Sequence, residues 1–185
     1  MIMRAKPLIL CLALALGPVG CARNVAFPGA AGINLSAALY RPDGSGRFPA
    51  MVVLHHCGGR SNDVLSWAAW LRGEGYVALA IDSFTPRGIK NCAQGGQPTM
   101  SEFAKDAAGA LAYLRSLPFV DPKRIGVVGW SYGGGAALIA ARAASDWLFD
   151  PGPGGFRAAV AFYPNCSQIG ADTNIPPAAA LRGGR

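Results

Sequence analysis

A chain of 185 residues suffices for one domain, and its 51% hydrophobic and 15% charged content excludes a disordered protein. The formal charge of +7 is carried by scattered lysines and arginines. With no basic run and no interleaved aromatics, that charge reads as a solvated exterior, and no nucleic-acid partner is expected.

At the N-terminus Arg4 and Lys6 precede an apolar stretch from Leu8 to Leu16, followed by small residues at Gly17, Gly20 and Ala22. This is the pattern of a secretory signal, assigned to residues 1–22, and it predicts a periplasmic or secreted protein. The stretch falls short of the ~20 apolar residues that a membrane span needs, so no span is expected. Cys21 follows Pro18-Val19-Gly20 and resembles a bacterial lipoprotein cleavage site, although Pro18 stands where that pattern favours leucine. A lipid anchor at Cys21 is therefore an open alternative to simple cleavage. Of the five cysteines, Cys57, Cys92 and Cys166 lie beyond this segment. In an oxidising compartment the simplest arrangement is one disulfide and one free thiol, and we expect Cys92 to pair with Cys166, leaving Cys57 free. The spacings match no zinc pattern, and neither a metal nor a cofactor is expected.

From Ile33 to Tyr40 an imperfect alternation predicts a half-exposed edge strand, broken by Arg41-Pro42-Asp43-Gly44. Phe48 to His55 is the first fully apolar strand. It runs into His56-Cys57-Gly58-Gly59, a loop with little side-chain bulk and a candidate source of an oxyanion donor. Ser61 or Asn62 caps a helix with Val64, Leu65, Trp67, Ala68 and Leu71 on one broad face, stopped by Gly73 and Gly75. Tyr76 to Ile81 is the next strand. Residues 82–100 form a long loop beyond a strand's carboxyl end, where open α/β sheets place their ligands. Thr99 and Glu102 make a capping box for a helix whose Phe103, Ala107, Ala110, Leu111 and Leu114 recur at helical spacing. A β-branched run to Val128, a helix and a last strand from Phe156 to Tyr163 complete an α/β alternation, which predicts a mostly parallel sheet flanked by helices. The domain is placed at residues 23–166, with an irregular tail at 167–185.

Between that β-branched run and its helix lies Gly129-Trp130-Ser131-Tyr132-Gly133, a G-x-S-x-G pentapeptide. In a chain this rich in glycine the pattern alone arises by chance in roughly one sequence in five. The strand before it and the uncharged small-residue helix after it make it specific, since such a turn presents its serine above the sheet as a nucleophile. A dinucleotide-binding turn fails, because Gly133-Gly134-Gly135-Ala136-Ala137-Leu138 lacks the third glycine of that motif.

These stretches together resemble the dienelactone hydrolase family of the α/β-hydrolase fold. The likeness runs from about Phe48 to Cys166 and rests on Val53-Leu54-His55-His56-Cys57-Gly58-Gly59, on 75–84, on 120–126 with the pentapeptide, and on 158–164. The resemblance implies that Ser131 is the nucleophile, that the amides of Tyr132 and Cys57 form the oxyanion hole, and that Arg87 meets a substrate carboxylate. It also implies a small ester or lactone as substrate. Founding members use cysteine where Ser131 stands, and the usual His-Gly pair is His55-His56 here. In this fold the triad follows the order Ser, Asp or Glu, His. No histidine follows Ser131, and Asp146, Asp150 and Asp172 are the aspartates beyond it. We therefore expect the last strands of the fold to be missing and turnover to be impaired. The alternative is a remnant that binds a small carboxylate or a partner without turnover.

Overall fold

A computed structural model describes residues 22–141 and 155–165. The secretory segment with Cys21, the three aspartates after Ser131, Cys166 and the tail lie outside those residues. In chain order the elements are β1 (Arg23–Pro28), β2 (Asn34–Tyr40), β3 (Phe48–Leu54), α1 (Asn62–Gly73), β4 (Val77–Asp82), α2 (Met100–Ser116), β5 (Val120–Trp130), α3 (Tyr132–Ala140) and β6 (Ala158–Phe162). One sheet takes the order β1-β2-β4-β3-β5-β6. β1 pairs antiparallel with β2 and β2 with β4, whereas β4, β3, β5 and β6 run parallel. The mostly parallel sheet flanked by helices is thus the one that the alternation predicts.

Strands covered on both faces must be apolar on both, and β4 is buried at all six positions. Successive side chains of β3 divide between two cores. Val52 and Leu54 join Phe103, Leu111 and Leu114 of α2 and Ala136 of α3 on one face. Val53 joins Val64, Ala68 and Leu71 of α1 on the other. α2 starts at the expected capping box, with Glu102 N donating to Thr99 Oγ1 at 3.2 Å and Thr99 N donating to Glu102 Oε2 at 2.7 Å.

Three expectations are corrected. β2 is not an edge strand, because β1 pairs along its outer side from Arg23 to Pro28 and buries its last four residues. Trp67 does not share the buried face of α1; it is 41% exposed, meeting Trp70 edge-on and the Trp130 ring at a tilt. The loop between β4 and α2 is not irregular throughout, since it carries short 3-10 turns at Thr85–Arg87 and Cys92–Gln94.

Candidate active site

Ser131 lies between the last residue of β5 and the first of α3, at φ 50° and ψ −109°. A non-glycine residue there costs about 1–3 kcal/mol, so its surroundings must impose the conformation. They do so through the backbone. Ser131 N donates to Phe162 O at 3.0 Å, while Ser131 O accepts from Gly135 N and Asn165 N, each at 3.0 Å. The flanking glycines are steric necessities. A Cβ on Gly129 would lie 2.2 Å from Gly133 O, and one on Gly133 would lie 2.4 Å from His55 O. Strand, turn and helix are thereby pressed against the end of β3, where Leu54 pairs with Gly129. Among the described residues nothing hydrogen-bonds the Ser131 hydroxyl.

The same packing brings the end of β3 against the first turn of α3. Tyr132 N is the first amide of α3, one of the four that a helix cannot satisfy internally. The Tyr132 ring is buried, its hydroxyl donates to Pro98 O, and burial pushes its phenol above the usual range. Cys57 stands two residues beyond His55, whose carbonyl touches α3 at Gly133.

Cys57 is not free. It forms a disulfide with Cys92, with the Cα atoms 5.0 Å apart, which overturns the expected pairing of Cys92 with Cys166. The physical reason is the path of the long loop, which folds back onto the β3 exit so that Cys92 N donates to Cys57 O at 2.9 Å.

Arg87 is also placed differently from the expectation. Its guanidinium donates to both oxygens of Asp106, at 2.9 and 3.1 Å, and to Ser83 O at 2.7 Å. Asp106 is wholly buried and also accepts from Ala30 N. The arginine therefore clasps the loop to α2 and to the β1–β2 turn instead of presenting an open fork for a substrate carboxylate.

Both histidines have other partners. His55 is wholly buried against Phe84 and Phe103, with Nδ1–H donating to His56 O at 2.8 Å and Nε2 accepting from Ser83 N at 3.3 Å. Both ring nitrogens are used in the neutral tautomer, and burial pulls its pKa down to about 4. His56 accepts from Gly58 N at Nδ1 and donates from Nε2 to Asp63, which also receives the Ser61 hydroxyl. That hydroxyl bond, with the His56 contact, holds the Asp63 carboxyl below its usual range. Neither imidazole is open to take a proton from Ser131. Among the described residues no group of three or more His, Cys, Asp or Glu side chains could hold a metal ion, and no helix is long and apolar enough to cross a membrane.

Against this geometry, the family model for the dienelactone hydrolase family matches residues 35–181. The quorum-quenching protein AidA of Acinetobacter baumannii is 35% identical over 119 residues, which cover 62% of this chain and 37% of AidA. A probable 2-oxo-3-(5-oxofuran-2-ylidene)propanoate lactonase of Bradyrhizobium sp. is 31% identical over 121 residues, covering 62% of this chain and 49% of that protein. A solved structure named m3DLH superposes with a TM-score of 0.63 at 25% identity, over 78% of this chain and 59% of that one. The chain spans less than half the length of those two curated relatives.

Proposed function

The chain belongs to the dienelactone hydrolase family, and from that premise we propose that it carries the nucleophile and oxyanion donors of a serine hydrolase for small esters or lactones. The observation that carries the reading is the strained Ser131 backbone, at φ 50° on a strand-to-helix turn, with its hydroxyl unpartnered among the described residues. A lactone substrate is favoured by the lactonase among the relatives.

The chemistry follows from the parts. Ser131 Oγ attacks the carbonyl carbon, the C=O electron pair moves onto oxygen, and the amides of Tyr132 and Cys57 hold that charge. Collapse expels the alkoxide and leaves an acyl-serine, which water then cleaves; for a lactone the leaving oxygen remains tethered to the acyl group. The serine proton passes to solvent water or a buffer base, a slower acceptor than a positioned imidazole. His55 and His56 are committed elsewhere, so residues 1–185 acting alone turn over slowly. The carboxylate-binding remnant is the weaker reading, because Arg87 is engaged by Asp106.

The test is hydrolysis of a short-chain aryl ester, whose phenolate leaves without a proton and so demands least of a base. The polypeptide of residues 1–185 should show a slow rate that Ser131→Ala lowers to the level of about 10³ to 10⁴ over water, which binding and the oxyanion hole supply without the triad. A rate indifferent to Ser131→Ala would sink the nucleophile assignment. A Ser131-dependent turnover near the enzyme median of about 10 s⁻¹ would instead promote one of the histidines to base.

A further inference from the structure

The β3 exit loop is anchored on either side of Cys57. His56 is held by Asp63 and by the buried His55 ring, and Gly59 is buried against Lys90 O, while Cys57 between them has neither kind of tie. Local bonds tie the loop to itself, Gly58 N to His56 Nδ1 at 2.8 Å and Gly59 N to His56 O at 3.1 Å. Its ties to the facing loop at Cys57 are the single bond from Cys92 N and the disulfide. That facing loop is itself well anchored. Arg87 is clasped by Asp106, Asn91 caps the second 3-10 turn, Gln94 bridges Gly88 O and Lys90 N, and Pro98 O accepts from Tyr132. The disulfide therefore ties Cys57 to an anchored loop, at the residue whose amide faces the developing charge in the hydrolase reading.

We propose that Cys92 is a positioning residue for this reaction: through its bond to Cys57 it holds the Cys57 N–H in the oxyanion hole, making the hydrolase active in its oxidised form and weak in its reduced form. The proposal rests on the hydrolase reading above. Both sulfurs belong to half-buried residues. Dithiothreitol gives two electrons and two protons to the Cys57–Cys92 bond, yielding two thiols and its own cyclic disulfide. Among the described residues one backbone hydrogen bond, from Cys92 N to Cys57 O, then holds Cys57 from outside its own loop, beside its packing against the core.

The experiment compares the full chain oxidised, reduced by dithiothreitol and reoxidised, together with Cys92→Ser and Ser131→Ala, on a short-chain aryl ester. Hydrogen exchange is followed over residues 55–60, and circular dichroism checks the fold. An oxyanion donor acts in the transition state, and losing one outright costs about 10² to 10³ in kcat, so a loosened one should cost about tenfold or more with KM within about twofold. Reduction and Cys92→Ser should both show that split with faster exchange at 55–60, and reoxidation should rescue the wild type alone. Unchanged kcat or unchanged exchange in the reduced, folded chain overturns the proposal while leaving Ser131 as nucleophile. A rate equal to that of Ser131→Ala in the oxidised chain overturns the hydrolase reading, and the proposal with it. Should Cys92→Ser fail to fold, the reversible arm on the wild type decides alone.

Discussion

His55 stays neutral where an exposed histidine would charge, because it is sealed between Phe84 and Phe103 and both its ring nitrogens are already bonded. Its folded pKa is about 4, against an ordinary 6.5. Above pH 6.5 both folded and unfolded chains hold it neutral and it adds no pH dependence. Between pH 6.5 and 4 the unfolded chain binds a proton that the folded chain refuses, so stability falls as pH falls, by up to about 3 kcal/mol. Asp63, Glu102 and Asp121 have depressed folded pKa values, so their contributions are present above their ordinary 3.8, 4.5 and 3.8 and are lost as pH falls from there through the folded values, which leaves the slope above pH 4.5 to His55 among these groups. Urea unfolding of the wild type should therefore slope between pH 6.5 and 4, and His55→Gln should flatten that part of the curve. Parallel curves for the two proteins would mean that His55 is solvated. At this scale Ser131 was legible, since a serine between two obligatory glycines is a local pattern. The disulfide was not, because nothing in the sequence across a separation of 35 residues records that the loop after β4 returns to the exit of β3. The aromatic box around His55 was equally hidden: Phe84 and Phe103 read as separate apolar positions until the loop folds.

At the level of elements, the helix boundaries were legible where short-range chemistry sets them, as in the Thr99–Glu102 capping box. The clasp that joins β1, the long loop and α2 was invisible, because Ala30, Arg87 and Asp106 meet only in three dimensions. It also explains why β1 stays in the sheet. Asp106 takes the Ala30 amide at the β1–β2 turn, and its carboxylate is in turn neutralised by Arg87, whose side chain is 12% exposed. Removing one partner of such a pair leaves the other charge uncompensated, and Asp106→Ala should cost ~3–5 kcal/mol in denaturant unfolding. Replacing both, Arg87→Met with Asp106→Leu, should recover most of that loss, since desolvation of two charges is then avoided. A double variant as unstable as Asp106→Ala would show that the lost bond to Ala30 N, and not the stranded arginine, dominates.

For the whole molecule, the decisive feature is the side of the sheet that ends in β6. Among the described residues nothing pairs with the outer side of Ala158–Phe162, a segment without charge or proline. An apolar edge of that kind is a template for another chain. Next to it an aromatic surface is assembled: Phe162 stacks on Trp130 at 5.6 Å between ring centroids and meets Trp67, which meets Trp70. Trp70 and Phe162 are 53% and 39% exposed. An edge that no described residue pairs and a contiguous aromatic patch on one flank favour association, because pairing satisfies the backbone groups while the rings leave water together. We expect the chain to self-associate with rising concentration in size-exclusion chromatography with light scattering. Trp70→Lys should weaken that association without lowering stability by more than about 0.5 kcal/mol, since the ring lies outside both cores. A monomer at every concentration would mean that the edge and the aromatic surface are already covered.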